Sequence, residues 1–379
     1  MIGDPSQLAV SWRSALMFSV CLPTLMAALF LLTRDVERRA TVWLAAFLIA
    51  AVIAMTPQII GFANFYDVWP GLTFAPFNTE LYLGPLLYLH AFRLMRRGPL
   101  GRRWWLLAPG AVQSLYYSAC FLFLGDYKQK WSYNNTIHEP FFVPLETVAT
   151  ISLLAWSFVA ILRLTDRYAG FLRSTQSASL EFQPIWLRRL LFVVAPAALV
   201  FAVLEIVTVF VTPVSYVSAF PFLVLIMAFF AWLGFDALAR LHAPFPKMDD
   251  AAPATAAPEP AGKDWNAEGE RLREAVVEGR WFLEPRLSIS DVARRLATNE
   301  RYVSQALNQG VGQPFSDFIN GLRIDHAKKR LGASDDQILD IALASGFNSK
   351  ATFNRVFKDV AGETPSAYRA SQIAKTSEK

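Results

Sequence analysis

Glu300, Arg301, Ser304, Gln305 and Asn308 recur at three-to-four-residue intervals in the stretch ERYVSQALNQ. That spacing puts them on one face of a helix. A guanidinium can grip the O6 and N7 edge of guanine, a carboxamide pairs with adenine, and a hydroxyl pairs with either. Further along, Ser349, Lys350, Asn354, Arg355 and Lys358 repeat the arrangement on a second stretch, SKATFNRVFK. The chemistry open to both faces is reversible contact with phosphates and base edges, without covalent steps.

The elements that must carry these faces are legible nearby. In LSISDVARRLATN (287–299), Ser288 and Asp291 have capping-box-like spacing. Val292, Ala293 and Leu296 form a short apolar stripe, and Asn299 is a good cap for the next helix. Val303, Ala306 and Leu307 then face inward. A preceding helix is expected over about 267–278, with Leu272, Val276 and Val277 on one face. In QILDIALASGFNSKATFNRVFKDVAG (337–362), Ile338, Ile341 and Ala342 point inward, Gly346 makes the turn and Asn348 is expected to cap the second helix. Phe353, Val356, Phe357 and Val360 are expected inside. Phe318, Leu322, Ile324, Ala327 and Leu331 fit a helix that links the two units. Two short helices joined by a tight turn, the second polar on its free face, form a helix-turn-helix; the chain holds two.

The pieces LSISDVARRLATNERYVSQAL, FINGLRIDHAKKRL and IALASGFNSKATFNRVFKDVAGETPSAYR carry a resemblance. From about Trp281 to Arg369 the chain resembles the DNA-binding domain of the AraC/XylS transcription regulators. The last piece is the most specific, with a Gly-Phe turn, two phenylalanines four apart, then Gly, Thr-Pro and Tyr-Arg. The resemblance implies that helices 300–309 and 349–360 enter successive major grooves on one DNA face, and it favours activation as the output. Arg301, Ser304, Gln305, Asn308, Ser349, Lys350, Asn354, Arg355 and Lys358 are the expected DNA contacts. Two positions depart from the pattern: Thr352 stands where an aromatic is common and Leu307 where Phe is common. LYLGPLLYLHAFRLMRR (81–97) also looks like a segment of the multi-helix membrane halves joined to some AraC-type domains.

The rest of the chain has a different character. Of 379 residues 54% are hydrophobic and 18% charged. From Asp264 on there are 17 Lys+Arg and 16 Asp+Glu, almost half of the chain's charge in its last third. This near-neutral balance lacks the usual basic footprint of a nucleic-acid binder. The distribution compensates: Lys350, Arg355 and Lys358 share the second outward face, whereas Glu268, Glu270, Glu274 and Glu278 lie on the first helix. Before position 240, seven apolar stretches are expected to span a bilayer as helices, at about 15–32, 40–62, 77–95, 104–125, 143–162, 190–211 and 216–238. Basic residues at alternate ends of these stretches number 13 on one side, among them Arg34, Arg97 and Arg167, against Arg13, Lys128 and Lys130 on the other. The positive-inside rule then puts the N-terminus outside and everything after Leu238 in the cytoplasm. Residues 1–32 read as a first span, since cleaving them as a leader would leave Arg34, Arg38 and Arg39 facing outwards.

The fold class expected is therefore all-α: a seven-helix transmembrane bundle (1–240), an Ala/Pro-rich semi-rigid linker (241–263) and an AraC-type domain (264–379). The outer loops carry Trp69, Trp131 and Tyr133, which could wall a ligand site or simply belt the interface. Glu80 and Glu146 lie in the first turns of their helices, where the dipole favours an anion. Glu205 lies inside the sixth span, where an ionisable group points to function, and it joins the ligand-site candidates. Double-stranded DNA, RNA polymerase and membrane lipid are the expected partners, with a homodimer allowed and the ligand open. Cys21 and Cys120 suggest no disulfide, His90, His138, His242 and His326 offer no metal spacing, and neither a catalytic set nor a cofactor motif is seen. The competing reading is a membrane transporter or enzyme with an appended autoregulatory DNA-binding domain. A helix-turn-helix domain serving protein contacts only is opposed by the intact polar faces.

Overall fold

The computed structural model describes residues 10–183, 185–212, 216–240, 244–248 and 263–377. All its regular elements are helices. By contact they form two compact units, Met1–Thr165 with Ile185–Asp250, and Asp166–Pro184 with Ala251–Lys379.

A helix lies over each of the seven apolar stretches: Trp12–Leu32, Arg38–Gly61, Glu80–Met95, Ala108–Phe123, Val143–Thr175, Ile185–Phe210 and Tyr216–Arg240; the end of Val143–Thr175, from Asp166 on, belongs to the second unit. Five helical segments among the described residues are long and apolar enough to cross a membrane: Trp12–Leu32, Arg38–Gly61, Gly101–Phe123, Tyr127–Thr175 and Val217–Ala239. Glu80–Met95, with 16 residues, is shorter than a span. Val143–Thr175 outruns its expected stretch by more than three turns. Pro23, Pro57 and Pro85 lie inside helices, as membrane helices allow when neighbours meet the freed carbonyls.

Trp12–Leu32 packs on Arg38–Gly61 and on Tyr216–Arg240, and Arg38–Gly61 packs on Glu80–Met95. Small buried residues such as Ala27, Ala28, Ala40 and Ala45 let the backbones approach. Side chains then bond across the seams. Thr24 Oγ1 donates to the Met227 carbonyl (3.3 Å), Thr79 Oγ1 to that of Ala50 (2.7 Å), and His90 Nδ1 lies 2.9 Å from the Ala40 oxygen. The expected linker falls mostly on residues outside those described (241–243 and 249–262). Its segment 244–248 packs within the first unit: Met248 N donates to Met95 O (2.9 Å), and the Lys247 ammonium meets Glu37.

The second unit is built around two apolar cores. Leu272, Val276, Val292, Val303, Leu307 and Phe318 belong to the first. Ile324, Leu331, Ile341, Phe347, Phe353 and Phe357 belong to the second. Helix Phe315–Ala333 contributes to both, as a linking helix should. Two inward assignments need correction. Val277 is 44% exposed and Val360 50% exposed. Each sits in the last turn of its helix, Trp265–Glu278 and Lys350–Ala361. The apolar period continues there, but the partner surface has ended.

Candidate nucleic-acid interface

The first polar face stands on helix Glu300–Gln305, which continues as a wider turn over Ala306–Val311. Its start is fixed by Asn299, whose Oδ1 accepts from the Tyr302 amide at 2.8 Å. Val303, Ala306 and Leu307 are buried, which turns Arg301 and Asn308 to the exposed side and leaves Ser304 and Gln305 half-buried beside them. Asn308 Nδ2 donates to Ser304 Oγ (3.2 Å), so two of the expected contact residues brace each other one turn apart.

The second face stands on helix Lys350–Ala361. Phe353, Val356 and Phe357 are buried; Lys350, Asn354, Arg355 and Lys358 are exposed. The cap differs from expectation. Ser349, in extended conformation, accepts from the Thr352 amide at 3.2 Å, while Asn348 lies one residue outside the helix. Both types cap well, and a pair of adjacent formers cannot be ranked by type. Ser349 is half-buried and its hydroxyl also bonds Thr352 Oγ1 (3.0 Å), so it holds the leading end of this face in place.

The helix before the first face starts with a complete capping box. The Ser288 amide and hydroxyl both donate to Asp291 Oδ2, at 3.0 and 2.6 Å, and Asp291 N donates back to Ser288 Oγ at 3.2 Å. Burial alone pushes the Asp291 carboxyl up; the Ser288 hydrogen bonds and the nearby Arg294 outweigh it and hold the carboxyl below its usual range. A depressed folded-state pKa adds stability that is full above the unfolded value, about 4, and is lost as pH falls through the folded one. Asp291→Asn is therefore expected to lower amide-exchange protection over 288–296 at pH 7 by about 1 kcal/mol. The difference should shrink only as pH falls below the ordinary carboxylate range and through the depressed folded value, where the carboxyl becomes neutral. A deficit that stays the same across this acid titration would show that the carboxylate charge is not what matters.

Between the two faces Arg323 is nearly inaccessible, at 1%. Its Nε donates to Phe282 O (2.7 Å), its Nη2 to Glu284 O and to Ser177 Oγ (3.1 Å), and its Nη1 to Asn320 Oδ1 (3.3 Å). Burial pushes its pKa down to about 10, so it stays charged at neutral pH. The sequence showed only one more arginine on an amphipathic helix.

Each described candidate ligand residue of the first unit has an aromatic partner. Trp69 packs on Phe65 (5.2 Å between ring centroids) and Trp131 stacks on Tyr127 (6.0 Å). Tyr133 joins Phe74 and comes within 3.4 Å of Tyr116, hydroxyl to hydroxyl. Glu205 belongs to helix Ile185–Phe210, but its side chain falls outside the described residues. Sequence reasoning missed a polar cluster. Gln113 donates to Glu80 (3.3 Å) and to Glu146 (2.5 Å), Tyr117 to Glu146 (2.9 Å), and Tyr116 meets His138 Nδ1 (2.9 Å). The signal for it was Gln113 and Tyr117, four apart inside an apolar helix.

Comparison with known proteins places the second unit. The family described as a helix-turn-helix domain matches residues 292–371. An uncharacterized HTH-type transcriptional regulator of Staphylococcus aureus is 39% identical over 90 residues, 24% of this chain and 12% of the relative. The HTH-type transcriptional activator AarP of Providencia stuartii is 35% identical over 95 residues, 25% of this chain and 69% of the relative. A solved structure of a Listeria innocua protein of unknown function is 31% identical, with 27% of this chain and 93% of that one covered and a TM-score of 0.25. The match thus spans about an eighth of the S. aureus regulator and about two thirds of AarP. With its two capped helix-turn-helix units, the chain belongs through its C-terminal region to the AraC-type DNA-binding transcriptional regulators.

Proposed function

We propose that the chain is a membrane-embedded transcription regulator whose C-terminal unit reads DNA from the cytoplasmic face. One observation carries the reading: a single chain joins helices long and apolar enough to cross a bilayer to an AraC-type helix-turn-helix domain. The bias of basic residues supports an outside N-terminus. Arg301, Ser304, Gln305 and Asn308 then read one major groove and Ser349, Lys350, Asn354, Arg355 and Lys358 the next. RNA polymerase is the downstream partner and activation the output, by analogy with the activator AarP. The signal acts on the outer aromatic loops and the membrane-embedded carboxylates, with Trp69, Trp131, Tyr133 and Glu205 as the residues to probe. A signal shifts such a protein only if it binds two states unequally.

Crosslinking the tagged full-length chain to DNA in cells and sequencing what it holds tests the reading. Discrete sites are expected, with the protein recovered in the membrane fraction and a reporter fused after Lys379 active in the cytoplasm. Uniform DNA recovery, or a reporter active only outside, would reject it.

A further inference from the structure

The segment that follows helix Val143–Thr175 is built into the DNA-binding unit. Gln176 forms an antiparallel bridge with Ser288, and Ser177 N donates to Leu287 O (3.0 Å), on the first helix-turn-helix. Ser179 and Ser316 hydroxyls meet at 2.9 Å, both buried, on the linking helix. Arg173 pairs with Asp317 on that helix (2.8 Å). Leu180 packs on the second apolar core. Finally Asn348 Nδ2 donates to Glu181 Oε1 at 2.6 Å. Asn348 directly precedes Ser349, the cap of helix Lys350–Ala361. Arg286 Nε lies a loose 3.9 Å from Glu181 Oε2.

The leading end of a helix is where phosphate is welcome, because its amides point outward and the dipole is positive there. In a helix-turn-helix the N-terminal residues of the second helix approach the bases. A carboxylate bonded to the residue that precedes the cap adds negative charge beside that end and opposes a phosphate there.

We propose that residues 173–182 are an autoinhibitory strap: docked, they hold Glu181 against the leading end of helix Lys350–Ala361 and oppose DNA, and release of the strap admits it. The inference rests on the reading of that helix as a DNA contact. It also supplies a route for the signal. The strap begins in the last turn of a 33-residue helix, roughly 50 Å long, whose first turn carries Glu146. A shift of that helix at the Glu146 end is delivered to the strap without passing through residues 241–263.

The test uses the full chain in lipid nanodiscs and a DNA fragment recovered by the crosslinking above. Glu181→Gln keeps the side-chain shape and removes the charge, and is expected to tighten binding about threefold to tenfold at low salt, with the gain shrinking as salt rises. In a second variant, Ser179→Cys with Ser316→Cys places two thiols where the hydroxyls lie 2.9 Å apart, and the disulfide, its formation checked by thiol titration, holds the strap in place. The oxidised form is expected to bind more weakly than the same protein after reduction. Unchanged affinity in Glu181→Gln, or equal binding by the oxidised and reduced forms, would overturn the strap. Lys350→Ala serves as the reference. If it weakens binding while both strap variants do nothing, the DNA-binding helix stands and the strap alone fails.

Discussion

A chain carrying Lys350→Ala and Arg355→Ala is expected to bind its target DNA about tenfold to hundredfold more weakly than the parent, from about 1–3 kcal/mol lost at a base-edge contact and a smaller loss at a phosphate. Both side chains are exposed, while Phe353, Val356 and Phe357 hold the helix from its other face. The fold should therefore survive, and the circular dichroism and melting of the full chain should match the parent. The two residues should also differ. Lys350 opens the helix, where a phosphate contact is expected, so Lys350→Ala alone should weaken all sequences alike and reduce the slope of log affinity against log salt by about 1. Arg355, one and a half turns in, should read a base edge, so Arg355→Ala should relax preference at one position of the site. Titrations of full chain in nanodiscs against the mapped fragment and its single-base variants separate the two. Parent-like affinity in the double variant would remove helix Lys350–Ala361 from the interface.

How much of this could be read in the sequence depended on how local the determining contacts are. The Ser288–Asp291 box and the Asn299 cap close within three residues, and the structure has both as expected. The inward faces Val303–Leu307 and Phe353–Phe357 follow from helical period and were equally plain. The period fails at helix ends, as Val277 and Val360 show, because it names a face without saying how far the partner extends. Contacts between distant segments were not legible at all. Glu80 and Glu146 stood out singly as helix-start carboxylates, but nothing local says that Gln113 bonds both. Residues 166–184 fall between the fifth and sixth expected spans, where no helical period was assigned. Their bonds to Arg323, Ser316 and Asn348 join positions more than 130 residues apart, and a polar segment has no hydrophobic stripe to announce its partner.

Gly346→Ala is expected to damage the DNA-binding unit strongly, and Gly362→Ala is its control. Both glycines adopt positive φ, +87° and +79°. A side chain in that region costs about 1–2 kcal/mol from contact with its own backbone. The surroundings differ. Around Gly362 a Cβ would meet nothing within 4 Å. At Gly346 it would lie 2.8 Å from the carbonyl oxygens of both Phe282 and Leu283, which are backbone atoms and cannot turn aside. Overpacking of that kind adds about 1–3 kcal/mol. The displaced carbonyl of Phe282 is also the acceptor for Arg323 Nε, so any shift loosens the buried guanidinium that ties the linking helix to residues 282–284. Gly346→Ala should thus cost about 2–5 kcal/mol and Gly362→Ala about 1–2, read as loss of amide-exchange protection over helices Phe315–Ala333 and Lys350–Ala361 in the full chain. If the two variants lost protection equally, the close approach of the Gly346 turn to residues 282–283 would carry no weight.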